Sequence, residues 1–492
     1  MRFLLGIDNG GTATKAALFD AAGRVQAMAA RAAGLQEPHP GWAERDMEAL
    51  WQSTAAAVRE VLEVAGQQPE AVACTGHGNG LYLIDAEGRP VRPAIGSGDT
   101  RAQAYIDKWR NNGTAERVRA KTAQRIWAGQ PNALLRWLAD HEPHSLARTR
   151  WVLMAKDYIR FRLTGEVWAE LTDFSGASLV NVPAGRYDAD LLAAFGISAC
   201  QDRLPPLRGA LEVLGKVTRE AAAATGIRAG TPVAGGMFDI DACALASGML
   251  DESVVAVVAG TWGNTLFLGR APAADPELFM SSCYALPGWF LMLEGSPTSA
   301  ANLDWALREL GVADYAEANR LAAAGEPAAD DPLFLPFLHG SHAGTQARAA
   351  LLDLRAGHAR AHLVRAVFEG VAFAHRWHYD RVRRQRPRPH AIRLSGGAAR
   401  SAPWVQMFAD VLDTPVEIPA GEELGALGAA MGAGIAAGVF ADAPRAVAAM
   451  TRVSARHDPN PRRTAVYEER YSRYRQALAA LQPYWNSDVQ RS

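Results

Sequence analysis

Two short stretches of this chain share one pattern, in which an apolar run is interrupted by small residues and a threonine and then resumes. The first covers residues 4–12 (LLGIDNGGT) and resumes at residues 16–19. The second covers residues 254–261 (VVAVVAGT) and resumes at residues 265–268. Each apolar run has the length of a buried strand, so both stretches predict a strand-turn-strand hairpin.

The turns of both hairpins are suited to holding an anion. Glycine has no Cβ atom, so its backbone can approach a bulky group, while turn N–H groups and a hydroxyl donate hydrogen bonds. We therefore expect nucleotide phosphates to contact Gly10, Gly11 and Thr12 in the first turn, and Gly260 and Thr261 in the second. The first turn alone is also compatible with an ordinary hairpin, but its repetition in the second half favours a phosphate site.

Two charged residues flank the first turn. Asp8 ends an apolar strand, where a carboxylate costs free energy unless it is paired, hydrogen-bonded or bound to a cation. Beside nucleotide phosphates, the expected partner is Mg²⁺, held directly or through water. Lys15 offers a positive charge to the same phosphates. The hairpin therefore predicts a site for ATP and magnesium.

The length of the chain predicts two domains. At 492 residues it exceeds what one hydrophobic core usually organises. Strand-like runs alternate with amphipathic helical stretches, such as residues 46–65 and 360–384, which is an α/β pattern. Pro- and Gly-rich segments precede the second hairpin, so we expect the domains to span residues 1–250 and 251–492.

Charge and cysteine content exclude several classes of function. The chain has 51 basic and 52 acidic residues, so no global field favours nucleic acid or an anionic membrane. Four widely spaced cysteines and a start that leads directly into a strand are typical of a cytoplasmic protein. Residues 424–441 carry no charge, but they are mostly Gly and Ala, which favours a closely packed buried helix over a membrane span.

Asp239 is the candidate general base. It follows a strand-like run and opens a helical stretch, the position where α/β sheets place their active sites. A carboxylate there can take the proton of an acceptor hydroxyl during phosphoryl transfer. The alternative is a helix N-cap aspartate, and Asp241 is a competing carboxylate.

Two further segments offer groups for a sugar. Residues 75–80 (TGHGNG) contain Gly76 and His77 in a polar loop between two strand-like runs, and an imidazole there would suit a polyol. A plain loop of this composition is equally common. Asp99 is a further candidate for sugar hydroxyls, with a helix N-cap as the alternative.

A third glycine segment completes the candidate nucleotide site. Residues 395–401 (SGGAARS) lie between a predicted strand and a predicted helix, and they contain Gly396, Gly397 and Ser401. The segment is neither a Walker loop nor a dinucleotide fingerprint. Its layout would let a flat base approach the backbone.

Taken in order, these motifs resemble those of the FGGY carbohydrate kinase family over nearly the whole chain. Within the family the chain is most similar to the xylulose kinases, particularly their L-xylulose branch. The motifs that carry the family resemblance are residues 6–12, 41–44, 99–101, 156–158, 163–165, 172–173, 334–337 and 396–401; those that carry the resemblance to the branch are residues 39–47 (HPGWAERDM), 126–129 (IWAG) and 296–299 (SPTS).

The resemblance implies an α/β fold of two ribonuclease-H-like domains, of the actin and hexokinase ATPase type, with sugar and ATP in the cleft between them. It implies that the N-terminal domain binds the sugar and that the C-terminal domain binds the nucleotide. A homodimer is also suggested. The roles it implies are the base for Asp239, magnesium for Asp8, phosphate contacts for Thr12, Gly260 and Thr261, nucleotide contacts for Gly397 and Ser401, and the sugar loop for His77.

The expected activity is ATP- and magnesium-dependent phosphorylation of a ketopentose, xylulose first, to give xylulose 5-phosphate. Three departures from the family pattern leave the sugar open: Trp262 follows the second turn, Gly76 replaces the methionine of the D-xylulose enzymes, and Ile240 replaces an asparagine. Ribulose, a polyol such as erythritol or glycerol, and an aldonate are alternatives.

Two other classes of protein share such hairpins. An ATP-driven binding protein of the actin or heat-shock type would need a filament surface or a peptide-binding domain after the ATPase. A sugar-sensing repressor would begin with a helix-turn-helix, whereas the first strand here begins near residue 3. We therefore expect an enzyme.

Overall fold

The computed structural model describes residues 2–32, 34–260, 262–273, 275, 278–343, 346–384, 386–421 and 423–487. The chain forms two compact units. The first comprises Met1–Leu250, Leu268–Met292 and Gly421–Thr451, and the second comprises Asp251–Phe267, Leu293–Ala420 and Arg452–Ser492. The first unit thus contains two later segments that a single division near residue 250 does not include.

Strands form throughout the described residues. They are β1 (Phe3–Asn9), β2 (Ala13–Asp20), β3 (Val25–Ala32), β4 (Leu35–Gln36), β5 (Glu44–Arg45), β6 (Ala71–Gly76), β7 (Tyr82–Ile84), β8 (Ala94–Ile95), β9 (Trp151–Leu153), β10 (Ala169–Glu170), β11 (Val180–Asn181), β12 (Arg186–Tyr187), β13 (Leu207–Arg208), β14 (Val213–Lys216), β15 (Pro232–Ala234), β16 (Met237–Phe238), β17 (Val254–Ala259), β18 (Gly263–Gly269), β19 (Met280–Cys283), β20 (Phe290–Ser296), β21 (Leu333–Leu335), β22 (Ala350–Leu352), β23 (Ala391–Ser395), β24 (Val416–Pro419) and β25 (Val453–His457).

Helices alternate with these strands. They are α1 (Met47–Ala65), α2 (Gln103–Asn111), α3 (Thr114–Thr122), α4 (Pro131–His141), α5 (Pro143–Arg148), α6 (Ala155–Thr164), α7 (Leu171–Ser175), α8 (Ala189–Ala194), α9 (Arg219–Thr225), α10 (Asp239–Ala246), α11 (Ala301–Glu309), α12 (Tyr315–Ala322), α13 (Arg360–Arg383), α14 (Ala402–Leu412), α15 (Leu424–Ala436), α16 (Ala443–Met450) and α17 (Pro461–Ser487), with 3-10 helices at Ser198–Arg203 and Gly397–Arg400.

Both predicted hairpins are confirmed. In the first unit the strand order is β14-β15-β6-β1-β2-β3. Strand β1 pairs antiparallel with β2 and parallel with β6, and β6 also pairs parallel with β15 and with β16. In the second unit β17 pairs antiparallel with β18 and parallel with β23, which is followed by β24 and β25. Each unit therefore joins an antiparallel hairpin to parallel strands.

The period of a strand sorts the residues of β1 onto two faces of its sheet. Phe3, Leu5 and Ile7 belong to a hydrophobic cluster with residues of α1, which covers one face. Leu4, Gly6 and Asp8 alternate with them, and a Cβ atom on Gly6 would lie 1.8 Å from the carbonyl oxygen of Ala426 in α15. Asp8 therefore shares the face of the sheet that α15 covers.

The Gly- and Ala-rich composition of α15 is explained by this close packing. Residues Leu424 to Gly434 of the helix are buried. A Cβ atom on Gly425 would lie 2.4 Å from Oδ2 of Asp8, and one on Gly428 would lie 2.0 Å from the carbonyl oxygen of Ala242. Across the residues described, none of the helices combines the length and the apolar character needed to cross a bilayer.

Candidate active site

Three neighbouring parallel strands of the first unit end at the same edge of its sheet. Asp8 lies in β1, which pairs in parallel with β6, and Phe238 of β16 pairs with Gly76 of β6. His77 directly follows β6, and Asp239 directly follows β16. The register therefore brings Asp8, His77 and Asp239 to the carboxyl edge, where open α/β sheets bind their ligands.

Asp239 is the first residue of α10, and Phe238 occupies the N-cap position without a capping side-chain hydrogen bond. The side chain of Asp239 therefore does not cap this helix. The residue as a whole is partly exposed, whereas its carboxyl group is surrounded by protein. Burial raises the pKa of Asp239 well above its ordinary value, and the charges of Asp8 and Asp173 raise it further. In its ionised form, a carboxylate with a raised pKa is a stronger base toward a hydroxyl proton than an ordinary carboxylate.

Lys15 is held beside Asp8 by a partner that is distant in sequence. The two residues pair across the β1–β2 ladder, and Nζ of Lys15 lies 2.9 Å from Oε2 of Glu423. Burial raises the pKa of Asp8 to about 6; the charge of Lys15 opposes this rise and Glu423 adds to it. The Lys15 side chain stays 39% exposed, so a further anion can reach it. Sequence reasoning missed Glu423, because no local motif marks it.

His77 is a neutral hydrogen-bonding group. Its Nε2 lies 3.1 Å from Oη of Tyr82. Burial, followed by the nearby charge of Arg45, lowers the pKa of His77 to about 4. A neutral imidazole both donates and accepts a hydrogen bond. Arg45 also donates to the carbonyl oxygen of Gly11, so it links the predicted sugar loop to the first predicted phosphate turn. Arg45 lies within the 39–47 motif, but sequence reasoning gave it no role.

A buried ionic network supports the strand that precedes Asp239. Nζ of Lys156 lies 3.3 Å from Oε2 of Glu170, and both side chains are inaccessible to solvent. The same carboxylate oxygen accepts a hydrogen bond from the Thr172 hydroxyl at 2.7 Å. The backbone N–H of Phe238 donates to that hydroxyl at 2.9 Å. This chain of contacts fixes the backbone directly before Asp239.

Asp173 belongs to the same network and faces the predicted sugar loop. Its Oδ2 lies 3.4 Å from Nζ of Lys156, and burial raises the pKa of Asp173 to about 7. A Cβ atom on Gly78 would lie 2.8 Å from Oδ1 of Asp173. In the sequence, Asp173 is marked only as one residue of a motif. Its burial beside the predicted sugar loop, which depends on the fold, is what makes it a candidate site residue.

The remaining two acids considered from the sequence are engaged in structural contacts. Asp241 is buried and accepts a hydrogen bond from the backbone N–H of Ala285 at 3.1 Å. Asp99 is buried and accepts from the backbone N–H of Ala43 at 2.6 Å. It also accepts three hydrogen bonds from Arg101, each at 2.9 Å. The carboxylate of Asp99 is therefore already saturated with donors.

In the second unit, two glycine turns lie side by side. Val258 of β17 pairs in parallel with Ser395 of β23, so Gly260 and Gly396 follow the ends of adjacent strands. Gly396 has φ of 86°, and a Cβ atom there would lie 2.6 Å from the carbonyl oxygen of Ala259. Only glycine fits this position without strain.

The second turn predicted to hold phosphate is partly described. Thr261 lies outside the described residues. The carbonyl oxygen of Gly260 accepts a hydrogen bond from the backbone N–H of Ala300 at 2.9 Å, which anchors the turn to the start of α11. Trp262, which departs from the family pattern, is 56% exposed.

A cavity of about 400 Å³ adjoins these turns within the second unit. This volume is in the range of small-molecule sites. Ser401, predicted as a nucleotide contact, accepts from the backbone N–H of Trp404 at 3.3 Å and donates to Oδ1 of Asn319 at 2.7 Å. The lining residues are Gly260, Ala300, Ala301, Leu303, Asp304, Tyr315, Asn319, Gly397, Arg400, Ser401 and Trp404.

The donor groups present suit a nucleotide-bound magnesium better than a metal held by protein alone. Within the described ranges, no group of three or more His, Cys, Asp or Glu side chains is arranged to hold a metal ion. Mg²⁺ is commonly held by one or two carboxylates together with substrate phosphates. Asp8, a partly exposed residue beside the first predicted phosphate turn, fits that arrangement.

Comparison with known proteins identifies the family. The family profile of the N-terminal domain of the FGGY carbohydrate kinases matches residues 3–246, and that of the C-terminal domain matches residues 255–437. The chain belongs to the FGGY family of carbohydrate kinases. It is therefore a phosphotransferase, with the α/β two-domain fold that this family shares with actin- and hexokinase-type ATPases.

Similar proteins include several xylulose kinases. The L-xylulose/3-keto-L-gulonate kinase of Escherichia coli (strain K12) is 38% identical over 98% of both chains. A probable L-xylulose kinase of Pasteurella multocida is 39% identical over 98% of this chain and 99% of the relative. The crystal structure of xylulose kinase from Rhodospirillum rubrum superposes with a TM-score of 0.91 at 30% identity, over 99% of this chain and all of that one.

Proposed function

We propose that this kinase transfers the γ-phosphate of ATP to the terminal hydroxyl of a ketopentose, xylulose in particular, and forms xylulose 5-phosphate. The similar proteins are named for this sugar. The observation that carries the proposal is the position of Asp239, a partly exposed residue whose carboxyl has a raised pKa, at the same sheet edge as Asp8 and His77. A base, a cation ligand and a polar sugar contact are the groups this reaction requires.

Asp239 would accept the proton of the sugar hydroxyl while the oxygen of that hydroxyl attacks the γ-phosphorus. The new O–P bond forms while the bond from phosphorus to the β–γ bridging oxygen breaks, and ADP leaves. Such a transition state is loose, so alignment of the hydroxyl is the main contribution of the base. Asp8 would hold Mg²⁺, directly or through water, and the bound ion would neutralise phosphate charge.

The remaining predicted residues divide between the nucleotide and the sugar. The sugar would be oriented by His77 and by the backbone of Gly76. We propose that Asp99 supports the site rather than contacts the sugar, because its carboxylate already accepts hydrogen bonds from Ala43 and Arg101. The phosphates would contact Gly10, Gly11, Thr12, Lys15, Gly260 and Thr261, and the nucleoside would lie against Gly396, Gly397 and Ser401.

The proposal extends to the cellular compartment and the partners of the enzyme. Balanced charge and the cysteine content favour a cytoplasmic enzyme whose partners are a small sugar and ATP. A homodimer is proposed from the family resemblance alone.

The proposed function is tested by an ADP-release assay with ATP and Mg²⁺ over a panel of acceptors. The panel should contain L- and D-xylulose, L- and D-ribulose, erythritol, glycerol, an aldonate and 3-keto-L-gulonate. We expect the highest kcat/KM with one xylulose epimer. Equal or greater kcat/KM with a polyol, or turnover of none of these sugars, would contradict the proposal.

Asp239→Asn tests the proposed base. General base catalysis contributes roughly 10²- to 10⁴-fold to rate, so we expect kcat to fall by about that factor while the Kd for ADP, measured by calorimetry, stays within about twofold. Asn preserves the size of the side chain, so the variant also controls for packing. A kcat close to that of the wild type would exclude Asp239 as the base.

A further inference from the structure

We propose that Arg45 is a positioning residue for phosphoryl transfer. It holds the carbonyl groups of the first predicted phosphate turn, residues 10–12, so that the N–H groups of this turn face the phosphates of the nucleotide. This inference rests on the proposed function, because the nucleotide is the donor of that reaction. Arg45 lies in the 39–47 motif, but the motif by itself gives it no role.

Arg45 is a buried cation without an acidic partner. Only 2% of the residue is exposed, and among the described residues it forms no ion pair with a carboxylate. Burying a charge without an opposite charge is costly. The guanidinium instead donates to the carbonyl oxygen of Gly11 and, at 3.5 Å, to that of Gly10. A side chain that lowers stability at its own position is a candidate for a functional role.

Three consecutive carbonyl groups at this turn are held by other elements. The carbonyl oxygen of Asn9 accepts from the backbone N–H of His77 at 3.1 Å, and the next two accept from Arg45. In a planar trans peptide, the C=O and N–H groups point in opposite directions. The N–H groups of Gly11 and Thr12 share their peptides with the two carbonyl groups that Arg45 binds. Both N–H groups are therefore turned away from the guanidinium.

The N–H groups of the turn are available to an anion. In the part of the chain that the structure describes, none of the backbone N–H groups of residues 10–12 donates to a protein acceptor. Gly11 and Thr12 are exposed, and Gly10 is partly exposed. Successive backbone N–H groups in a turn form an anion-binding concavity. Arg45 thus fixes the turn in a conformation suited to phosphate before the nucleotide binds.

Arg45→Met tests the inference on the full-length enzyme. Methionine retains an unbranched apolar side chain but has neither the charge nor the donors. Calorimetry with Mg²⁺ and without sugar measures the Kd of an ATP analogue with an imido group at the β–γ bridge, and the Kd of adenosine. We expect the Kd of the analogue to rise by about tenfold or more, because hydrogen bonds to a charged group are stronger than neutral ones. The Kd of adenosine, which has no phosphate, should stay within about twofold.

Thermal unfolding separates this role from a purely structural one. Replacing buried charged groups by apolar residues of similar volume is often neutral or stabilising, so the thermal midpoint of Arg45→Met should not fall. A lower midpoint with an unchanged Kd for the analogue would show a structural role and overturn the inference. An equal loss of affinity for the analogue and for adenosine would also overturn it.

Arg203→Met is the matched control. Arg203 likewise donates to backbone carbonyl oxygens, those of Leu146, Thr149 and Ala199, but none of these belongs to the turn. Its Kd for the analogue should equal that of the wild type. Analogue binding that depends on Arg45 in an enzyme that phosphorylates no sugar would support the inference and refute the proposed function. Turnover of xylulose with unchanged analogue binding by Arg45→Met would do the reverse.

Discussion

At the scale of the residue, the site is defined by ionisable groups whose surroundings disfavour charge. Asp8, Asp173 and Asp239 all have raised pKa values, and burial is the largest cause in each case. Groups with perturbed pKa values cluster at functional sites. The neutral His77 extends this pattern to the sugar loop, because burial lowers its pKa to about 4.

His77 predicts a pH dependence of stability. An unfolded histidine has a pKa near 6.5, so the unfolded chain binds a proton between pH 6.5 and about 4 that folded His77 does not bind. The free energy of unfolding should therefore fall as the pH drops through this window, by up to roughly 3 kcal/mol from this residue. Urea denaturation at pH 8 and pH 5 should show a smaller loss for His77→Gln than for the wild type. The exposed His39→Gln should follow the wild type; a loss for His77→Gln as large as that of the wild type would disprove the assignment.

At the scale of the element, α15 determines how closely the backbone of the first unit packs around Asp8. Its glycines allow the helix to touch β1, α10 and the Asp8 carboxylate directly. Gly428→Ala would place a methyl group 2.0 Å from the backbone carbonyl of Ala242, which cannot yield without moving α10. Overpacking typically costs about 1–3 kcal/mol and sometimes more. We expect a lower thermal midpoint and reduced activity for this variant.

Gly432→Ala is the control on the same helix. Its new methyl group would meet the Cε atom of Met237 at 2.8 Å, the end of a flexible side chain, and alanine favours the helix by roughly 0.5–1 kcal/mol. Its thermal midpoint should stay near that of the wild type. Equal midpoints for the two variants would show that backbone contact does not limit the packing of α15.

At the scale of the whole molecule, the first unit is assembled from three separate segments of the chain. A fragment of residues 1–250 would lack α15, which covers one face of β1. We expect this fragment to be insoluble or to unfold without a cooperative transition, because that face of the sheet would be exposed to water. Joining residues 1–250, 268–292 and 421–451, the three segments of the first unit, through short linkers should restore a soluble fragment. A cooperative thermal transition for residues 1–250 alone would contradict the prediction that this fragment needs the later segments to fold.

The sequence by itself determined the features that local chemistry specifies. Strands around Asp8 and before Gly260 follow from short apolar runs interrupted by glycine, and α1 begins after Asp46, whose side chain accepts from the backbone N–H of Ala49. The order of motifs identified the family, and α15 was expected as a buried helix from its glycines and alanines. These features depend on residues that are close together in the chain, so they can be predicted without the fold.

Only the tertiary structure decided which distant groups meet. Glu423 reaches Lys15 across 408 positions, Asp173 is buried against the sugar loop, and Tyr315 comes to line a cavity with Ser401. Glu423 and Tyr315 lie in no motif, and the motif that contains Asp173 gave that residue no role of its own, because the position of each depends on burial or on a partner from another element. The carboxylate of Asp99 shows the converse, because its motif suggested a ligand contact while the fold surrounds it with donors. Strand register and helix packing set such encounters, and both depend on contacts made across the whole chain.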